Sequence, residues 1–415
     1  MDKFVHFKMA SMNAEQIRLV KATVPALRAH GEDITRHFYA DMFRAHPELL
    51  NIFNPANQAT GRQARSLAAS VLAYAEHIDA AGQLGGMVER IAHKHVSLEV
   101  LPEHYPIVGE HLLGAIAAVL GDAATPEILD AWAAAYGQLA ELMIRVEGDM
   151  YAQGAAQPGG WRGFKPFRVA EKKAESSEIT SFVLEPADGQ PLPPYRAGQY
   201  LALRVKVPGS EHFQIRQYSL SAPWDGHRYR ISVKREPGGL VSGHLHDGVQ
   251  QGDELAVHLP AGDFVLQDSP RPLVMLSGGV GITPLLAMLR ELLAQDSTRP
   301  VTFVHAVRGR EVHAFHDEIA QLIAGNPQVK RATFYEMVAD GDQQGVHFDR
   351  EGRLSLDALQ PSLPAGAQEA DYYFCGPAGF ACAVEQLLDE LGVPAAQRFT
   401  ETFGPSQSFA GVIPA

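Results

Sequence analysis

The chain has 415 residues, 46% of them apolar, which is enough for two or three domains that each bury a core. A formal net charge of -13, with no run of Lys or Arg, gives phosphate backbones and anionic bilayers little to hold, so nucleic acid is excluded as an expected partner. Two cysteines, Cys375 and Cys382, form neither a disulfide framework nor a CxxC pair.

The opening MDKFVHFKMASM is interrupted by Lys3, His6 and Lys8 and does not read as a secretory signal, so a cytoplasmic protein is expected. Helical periodicity then governs residues 1–150. Ile17, Val20, Val24 and Leu27 recur every three or four positions, followed by Ile34, Phe38 and Met42, by Leu67, Val71, Tyr74 and Ile78, and by Ile128, Trp132, Leu139 and Met143. An all-α domain is predicted there, and QGAAQPGGWRG, Gln153 to Gly163, marks a linker over 151–163.

The period next drops to two. Tyr229, Ile231 and Val233 alternate with Arg230, Ser232 and Lys234, and Leu255, Val257 and Leu259 with Glu254, Ala256 and His258. Together with ITSFVLEP and QYLALRV, these predict a small antiparallel barrel over 164–268. From 269 to 415, the apolar strands LVMLS, VTFVHAV, ATFYEM and YYFC alternate with helical stretches, as a parallel sheet of nucleotide-binding type requires. The longest uncharged run, Pro272 to Leu289, is broken by Gly278, Gly279, Gly281 and Pro284, so strand, turn and helix are expected there, with no stable membrane insertion. The last ten residues, SQSFAGVIPA, carry no charge or motif and are expected to be disordered, with a docking tail as the alternative.

Four histidines fall in IAHKHVSLEVLPEHYPIVGEHLL. On a helix His93 and His95 stand about 200° apart, so one metal cannot take both from one face. His95 shares a stripe with Met87, Ile91 and Leu98 and points inward, whereas His93 joins Glu89 and Ser97 on a polar side expected at the surface. A lone inward histidine is ordinarily a core residue bonded to a carbonyl. Here Tyr105, beside Val108 and Leu112, and Glu147, beside Tyr136, Leu139 and Met143, also point inward, and a carboxylate on an apolar stripe is costly unless paired. Such a trio suggests an imidazole oriented through Nδ1, and a single histidine without partner ligands points to haem iron rather than zinc. His104 and His111 share a helix face, but no carboxylate or cysteine completes a site, and a solvated or partly buried face is expected for both.

Residues 14–150 resemble a globin, with His95 matching its proximal ligand, and the whole chain resembles the flavohaemoglobins. The resemblance implies a multidomain fold: a globin domain, an antiparallel β-barrel FAD domain and an α/β parallel-sheet NAD(P)-binding domain of the ferredoxin-reductase kind. HFYADMF and NIFNPANQ put Tyr39 and Phe53 where that family has its distal tyrosine and its porphyrin-wedging phenylalanine. Gln63 and Leu67 match further distal residues, and Lys94, Tyr105 and Glu147 its proximal cluster. Oxygen on ferrous haem carries partial negative charge, which the Tyr39 hydroxyl and Gln63 amide would stabilise. An imidazole bonded within a Tyr105/Glu147 network donates more electron density and favours oxygen activation over storage.

Haem iron accepts electrons singly and a nicotinamide gives up two, so coupling them needs a flavin. IRQYSLS offers Arg216, Gln217, Tyr218 and Ser219: an arginine for a phosphate, a tyrosine for the isoalloxazine face and a serine for its polar edge. Tyr200 in GQY precedes it by a strand, and VKREPGGLVSGHLHD presents Gly239, Val241 and Ser242 to a pyrophosphate. The match departs from the flavohaemoglobin pattern at Gly243, where asparagine is common. In LVMLSGGVGITPLLAML, residues Gly279, Val280, Gly281, Ile282, Thr283 and Pro284 form a strand-to-helix turn for the coenzyme phosphates, with Thr283 as expected N-cap and Pro284 as first helical residue. Pro284 fills the last position of what is therefore not a complete GxGxxG. In the reductases it resembles, the turn in YYFCGPAGF, here Cys375, Gly376 and Pro377, lies by the nicotinamide, which implies a reduced Cys375, and FTETFGP matches Glu401, Thr402, Phe403, Gly404 and Pro405 to the family segment whose aromatic ring covers the flavin.

The resemblance implies a nitric oxide dioxygenase using haem b, FAD and NAD(P)H, with O2 and NO as small-molecule partners and no stable macromolecular partner named. Two alternatives stay open: an NAD(P)H-dependent hydroperoxide reductase, whose apolar distal pocket admits alkyl hydroperoxides or lipid chains, and an oxygen-binding or sensing globin kept ferrous by its reductase. Arg308 and Arg310, just after the second strand of the third domain, favour NADPH, whereas the resemblance leans to NADH.

Overall fold

A computed structural model describes residues 12–53 and 61–403. They form two compact units, one holding the chain up to Ala156 together with Pro208–Ile215, the other Gln157–Val207 with Arg216–Phe403.

The first unit is helical: α1 (Ala14–Ala22), α2 (Val24–Ala45), α3 (Arg62–Glu76), α4 (Gly85–Ser97), α5 (His104–Leu120) and α6 (Pro126–Ala156). Asn13 and Gln16 close a capping box at the start of α1. The apolar run from Ile17 to Leu27, continuous in sequence, is split at Thr23. Pro25 has no N–H and fits only the first turn of a new helix, and the buried Thr23 hydroxyl donates to Val20 O while accepting from Trp132 Nε1 at 3.2 Å. The segment His104–Ala123 is apolar and long enough to cross a bilayer by length and composition, yet it packs here against α2 and α6 with Leu112, Ala115 and Ile116 in the core. Helix α6 runs to Ala156, so Gln153–Ala156, expected as linker, is helical; glutamine and alanine are good helix formers, and the break comes only at Pro158–Gly159.

The second unit holds two sheets. The first, β1 (Lys165–Ala174), β2 (Ile179–Pro186), β3 (Tyr200–Val205), β4 (Gln214–Ser219), β5 (Tyr229–Lys234) and β6 (Glu254–Val257), has the antiparallel order β4-β3-β6-β1-β2-β5. A bridge from Leu220 to Ile231 joins its two edges, so the sheet closes on itself around Phe167, Phe182, Leu203 and Tyr229. The expected alternation fails at His258. Strand β6 stops at Val257, the His258 N–H crosses to Ala202 O at 2.9 Å, and its ring turns inward edge-on to Phe164, where burial lowers its pKa to about 4.

The second sheet is parallel, in the order β10-β9-β8-β7-β11-β12, from β7 (Leu273–Gly278), β8 (Val301–Val307), β9 (Val329–Tyr335), β10 (Arg350–Glu351), β11 (Asp371–Gly376) and β12 (Arg398–Thr402). Helices α8 (Ile282–Ala294), α9 (His316–Ala324) and α10 (Ala378–Leu391) cover it. Every residue of β7 and β11 is buried, which is why those strands read as unbroken apolar runs. This is the helical, antiparallel and parallel succession that the periodicities predict.

Candidate functional site

In the helical unit, α4 ends just after His95. Leu98 N–H donates to Lys94 and His95 carbonyls, Glu99 takes a left-handed φ of 61°, and Val100 N–H returns to His95 O, so the chain doubles back into α5 and delivers Tyr105. Glu147 reaches the same point from α6 and is only 2% exposed. His95 Nδ1 lies 2.8 Å from Glu147 Oε1, and the Tyr105 hydroxyl donates to the same oxygen at 2.7 Å. Nδ1 and the Tyr105 oxygen are 3.2 Å apart. Because Tyr105 spends its proton on Glu147, the shared carboxylate oxygen accepts from Nδ1–H, each charge-assisted bond contributing about 2 kcal/mol net. Burial first, and the Glu147 charge second, push the Tyr105 hydroxyl far above its ordinary pKa, so it stays a donor. This tautomer leaves the His95 Nε2 lone pair for a metal. Tyr136 fixes the corner by donating to Tyr105 O at 2.6 Å.

Lys94, beside His95, accepts through its carbonyl from the Ser97 hydroxyl. Two sequence placements need correction here. Ser97 is fully buried, not on a polar face, since that hydroxyl folds back onto its own helix. His93 is half-buried. His111 is also buried, held by Asp41 Oδ2 at 2.7 Å, and Leu101 N–H donates to His104 Nδ1 at 3.0 Å. Among the described residues, no group of three or more His, Cys, Asp or Glu could hold a metal ion, which leaves a single-imidazole site as the one the residues fit.

Tyr39 is 7% exposed, ringed by Phe38, Phe43 and Phe53 at 4.7, 5.7 and 5.9 Å between ring centroids. Phe43, one helical turn on from Tyr39, belongs to this pocket although the sequence reading passed it over as an ordinary apolar position. Leu67 packs partly buried against the same core. Gln63 hydrogen-bonds the Tyr39 hydroxyl, and burial drives that hydroxyl above its usual pKa. The Gln63 Oε1 has no partner in the protein although it is shielded from solvent. A neutral phenol and an amide in an apolar pocket are suited to a small ligand of partial negative charge.

At the barrel, β4 carries Arg216, Gln217, Tyr218 and Ser219, with Ser219 buried and the other three half-buried. Burial pushes the Tyr218 hydroxyl up and the Arg216 guanidinium down, so an anion at Arg216 is favoured. Tyr200, at the start of β3, bridges to Ala261. Beyond β5 the turn at Gly239 starts α7, the short helix Leu240–Asp247, and a cavity of about 410 Å3 opens against Arg235, Glu236, Pro237, Gly238, Gly239 and Gly243. Val241 and Ser242 lie in its first turn, where amides lack partners within the helix. The Ser242 hydroxyl accepts from Glu236 N–H at 3.1 Å and braces the turn, which leaves its backbone amide as the group expected to face a pyrophosphate. A side chain added at Gly243 would meet nothing within 4 Å, so an asparagine fits there.

At the parallel sheet, Gly279–Gly281 follows β7 and leads straight into α8. The helix begins at Ile282 with Gly281 as N-cap, not at Pro284. Thr283 is 2% exposed, and its hydroxyl donates back to Val280 O at 3.0 Å rather than capping; Pro284 lies in the first turn, where its missing N–H costs nothing. A Cβ on Gly281 would stand 2.1 Å from Cys375 O, so the turn after β7 can lie against the end of β11 only because this position has no side chain. Cys375 pairs with Ser277 on one side and Glu401 on the other, and Gly376 with Thr402, with Pro377 capping α10. Burial and the Glu401 charge raise the Cys375 thiol well above its ordinary pKa; both cysteines are free. Phe380, missed in the sequence, packs where a Cβ on Gly278 or Gly376 would stand. Phe403 is 44% exposed, and Gly404 and Pro405, like the C-terminal tail, lie outside the described residues.

Three family models match: Globin over 36–143, Oxidoreductase FAD-binding domain over 166–266 and Oxidoreductase NAD-binding domain over 275–386. The flavohemoprotein of Deinococcus radiodurans is 69% identical over 403 residues, spanning 97% of this chain and 99% of that protein. The flavohemoprotein of Bordetella pertussis is 51% identical over 400 residues, 95% of this chain and 98% of that one. Among solved structures, the flavohemoglobin of Malassezia yamatoensis with bound FAD and heme gives a TM-score of 0.84 at 30% identity, covering 94% of this chain and 99% of that one. The flavohem-like FAD/NAD-binding domain of nitric oxide dioxygenase from Vibrio cholerae gives 0.54 at 40% identity, covering 59% of this chain and all of that one. Haem, FAD and a nicotinamide coenzyme are accordingly this chain's cofactors. The chain, with its single-imidazole pocket joined in sequence to a flavin barrel and a nucleotide-binding sheet, belongs to the flavohaemoglobins.

Proposed function

We propose that this oxidoreductase is a nitric oxide dioxygenase, with His95 as the iron ligand and Tyr39 and Gln63 as the distal donors. The observation that carries the reading is Glu147 Oε1 shared by His95 Nδ1 and the Tyr105 hydroxyl, a buried carboxylate spent on one imidazole. When bound, haem supplies an iron that takes O2, and FAD turns the two-electron donation of a nicotinamide into single electrons.

NO + O2 + e− → NO3− consumes one electron per nitrate, so each coenzyme serves two turnovers. Glu147 leans the imidazole toward imidazolate character, and a globin that only stores oxygen has no use for a charged partner there. In the same unit, the Tyr39 hydroxyl would donate toward developing negative charge, held in aim by Gln63. The surrounding phenylalanines would exclude water and solvent protons from this wall, which strengthens that bond. In the second unit, Arg216 would meet phosphate charge, Tyr218 and Phe403 would offer aromatic surface to the flavin, and the Gly279–Gly281 amides would hold the coenzyme. The name of the Vibrio protein lends support to the same substrate pair.

The test is anaerobic reduction with coenzyme followed by O2 and NO. Nitrate should form with half an equivalent of coenzyme consumed; coenzyme oxidation without nitrate would remove the proposal.

A further inference from the structure

The register places three strand ends side by side. Gly278 of β7 lies opposite Ala306 of β8, and Val307 of β8 opposite Tyr335 of β9. Pairing continues past the strands, with Glu336 N–H on Val307 O and Met337 N–H on Arg308 O at 2.8 Å. The glycine turn, the Arg308–Arg310 loop and Met337 therefore share one C-terminal edge, the side on which doubly wound sheets bind nucleotides. In such sheets the residue after the second strand reads the adenosine ribose. An acid there accepts from a free 2′-hydroxyl, and an arginine takes a 2′-phosphate.

Here that strand is β8, and the loop after it reads Arg308, Gly309, Arg310, with no acid before Glu311. Both arginine side chains are well exposed, at 57% and 58%, and Met337, 65% exposed, offers an apolar platform beside them. Each guanidinium has a carboxylate neighbour: Arg308 bonds Glu178, and Arg310 stands 3.9 Å from Asp342. The guanidinium ends are exposed, whereas Glu178 and Asp342 are 18% and 3% exposed, so each arginine holds one carboxylate here. Two guanidinium groups on one phosphate dianion form several charge-assisted bonds in exchange. Both acids also keep a partner once released: Glu178 has Lys234 at 3.8 Å, and Asp342 accepts from Ala339 N–H at 3.0 Å.

We propose that Arg308 and Arg310 form a subsite for the coenzyme's 2′-phosphate, which makes this chain prefer NADPH to NADH. The proposal rests on reading the Gly279–Gly281 edge as the coenzyme site. Calorimetric titration of the haem- and FAD-loaded protein with adenosine 2′,5′-bisphosphate and with 5′-AMP tests it without turnover. The bisphosphate should bind about ten-fold more tightly, with the steeper loss of affinity on adding salt. The R308A/R310A double variant should erase most of that advantage and leave 5′-AMP unchanged, which also certifies its fold. Glu178→Gln, by freeing Arg308, should tighten the bisphosphate further. Equal affinities for the two nucleotides, or an advantage that survives in the double variant, would overturn the proposal while leaving the coenzyme edge intact. Failure of both nucleotides to bind would overturn the edge and the subsite together.

Discussion

In the helical unit, His95, Tyr105 and Glu147 come from three helices, with Tyr105 and Glu147 separated by 42 residues, and all their chemistry is carried by side chains. At the edge of the parallel sheet, Gly279, Gly281 and Gly376 sit within single turns, and what they offer is main chain. The first arrangement tolerates changes of backbone but not of functional group; the second tolerates neither a Cβ nor a shift of strand. A metal asks for one well-aimed lone pair, whereas a pyrophosphate asks for several N–H groups in an arc, and each unit is built from what its ligand demands.

Four substitutions or conditions press on that contrast. The largest effect is expected for His95→Ala, which should abolish the Soret band while the flavin spectrum and flavin reduction by coenzyme persist; retained haem at full occupancy would refute the ligand assignment. Gly281→Val should do the converse. Its new Cβ overlaps the Cys375 carbonyl, a strain on the order of 3 kcal/mol, so coenzyme-dependent flavin reduction should be lost with the haem spectrum unchanged. Glu147→Gln keeps an acceptor but removes the charge. Haem should remain bound, while nitrate-forming turnover falls about 10-fold to 100-fold and the iron–histidine stretching band in the resonance Raman spectrum moves down. Turnover unchanged in that variant would make the carboxylate merely structural.

The smallest effect concerns acid. Burial lowers the pKa of His305 to about 3 and of His313 to about 2, with Ser277 and Tyr335 as their neutral partners. Because both folded values lie below the unfolded 6.5, the unfolded chain binds more protons, so stability is complete above pH 6.5 and falls as pH drops below it. The slope is about 1.4 kcal/mol per pH unit for each histidine. The thermal midpoint for flavin release should therefore fall between pH 6.5 and pH 4, and His313→Gln should flatten the fall; an unchanged slope would place the sensitivity elsewhere.

The fold succession was legible because periodicity reports burial: 3.6 in α1 to α6, two in the sequence of β5 and β6, continuous runs in β7 and β11. Where reading failed, a local contact had overridden the period, as when the Ser97 hydroxyl turned back onto Lys94 O or His258 was drawn in against Phe164. The same holds for Thr283, whose sequence position suits an N-cap but whose hydroxyl found Val280 O first. Phe43 and Phe380 escaped notice because nothing in an apolar residue's own neighbourhood says whether it faces a ligand or a core.

Sequence alone determined the order of helical, antiparallel and parallel segments, and marked His95, Tyr105 and Glu147 as inward, since a polar group on an apolar stripe must find a partner. Only the tertiary structure decided that the three share one oxygen atom, and that Gly281 stands against Cys375. Contacts of that kind depend on where distant segments end relative to one another, to within a fraction of an ångström, and no period along a chain encodes such a distance.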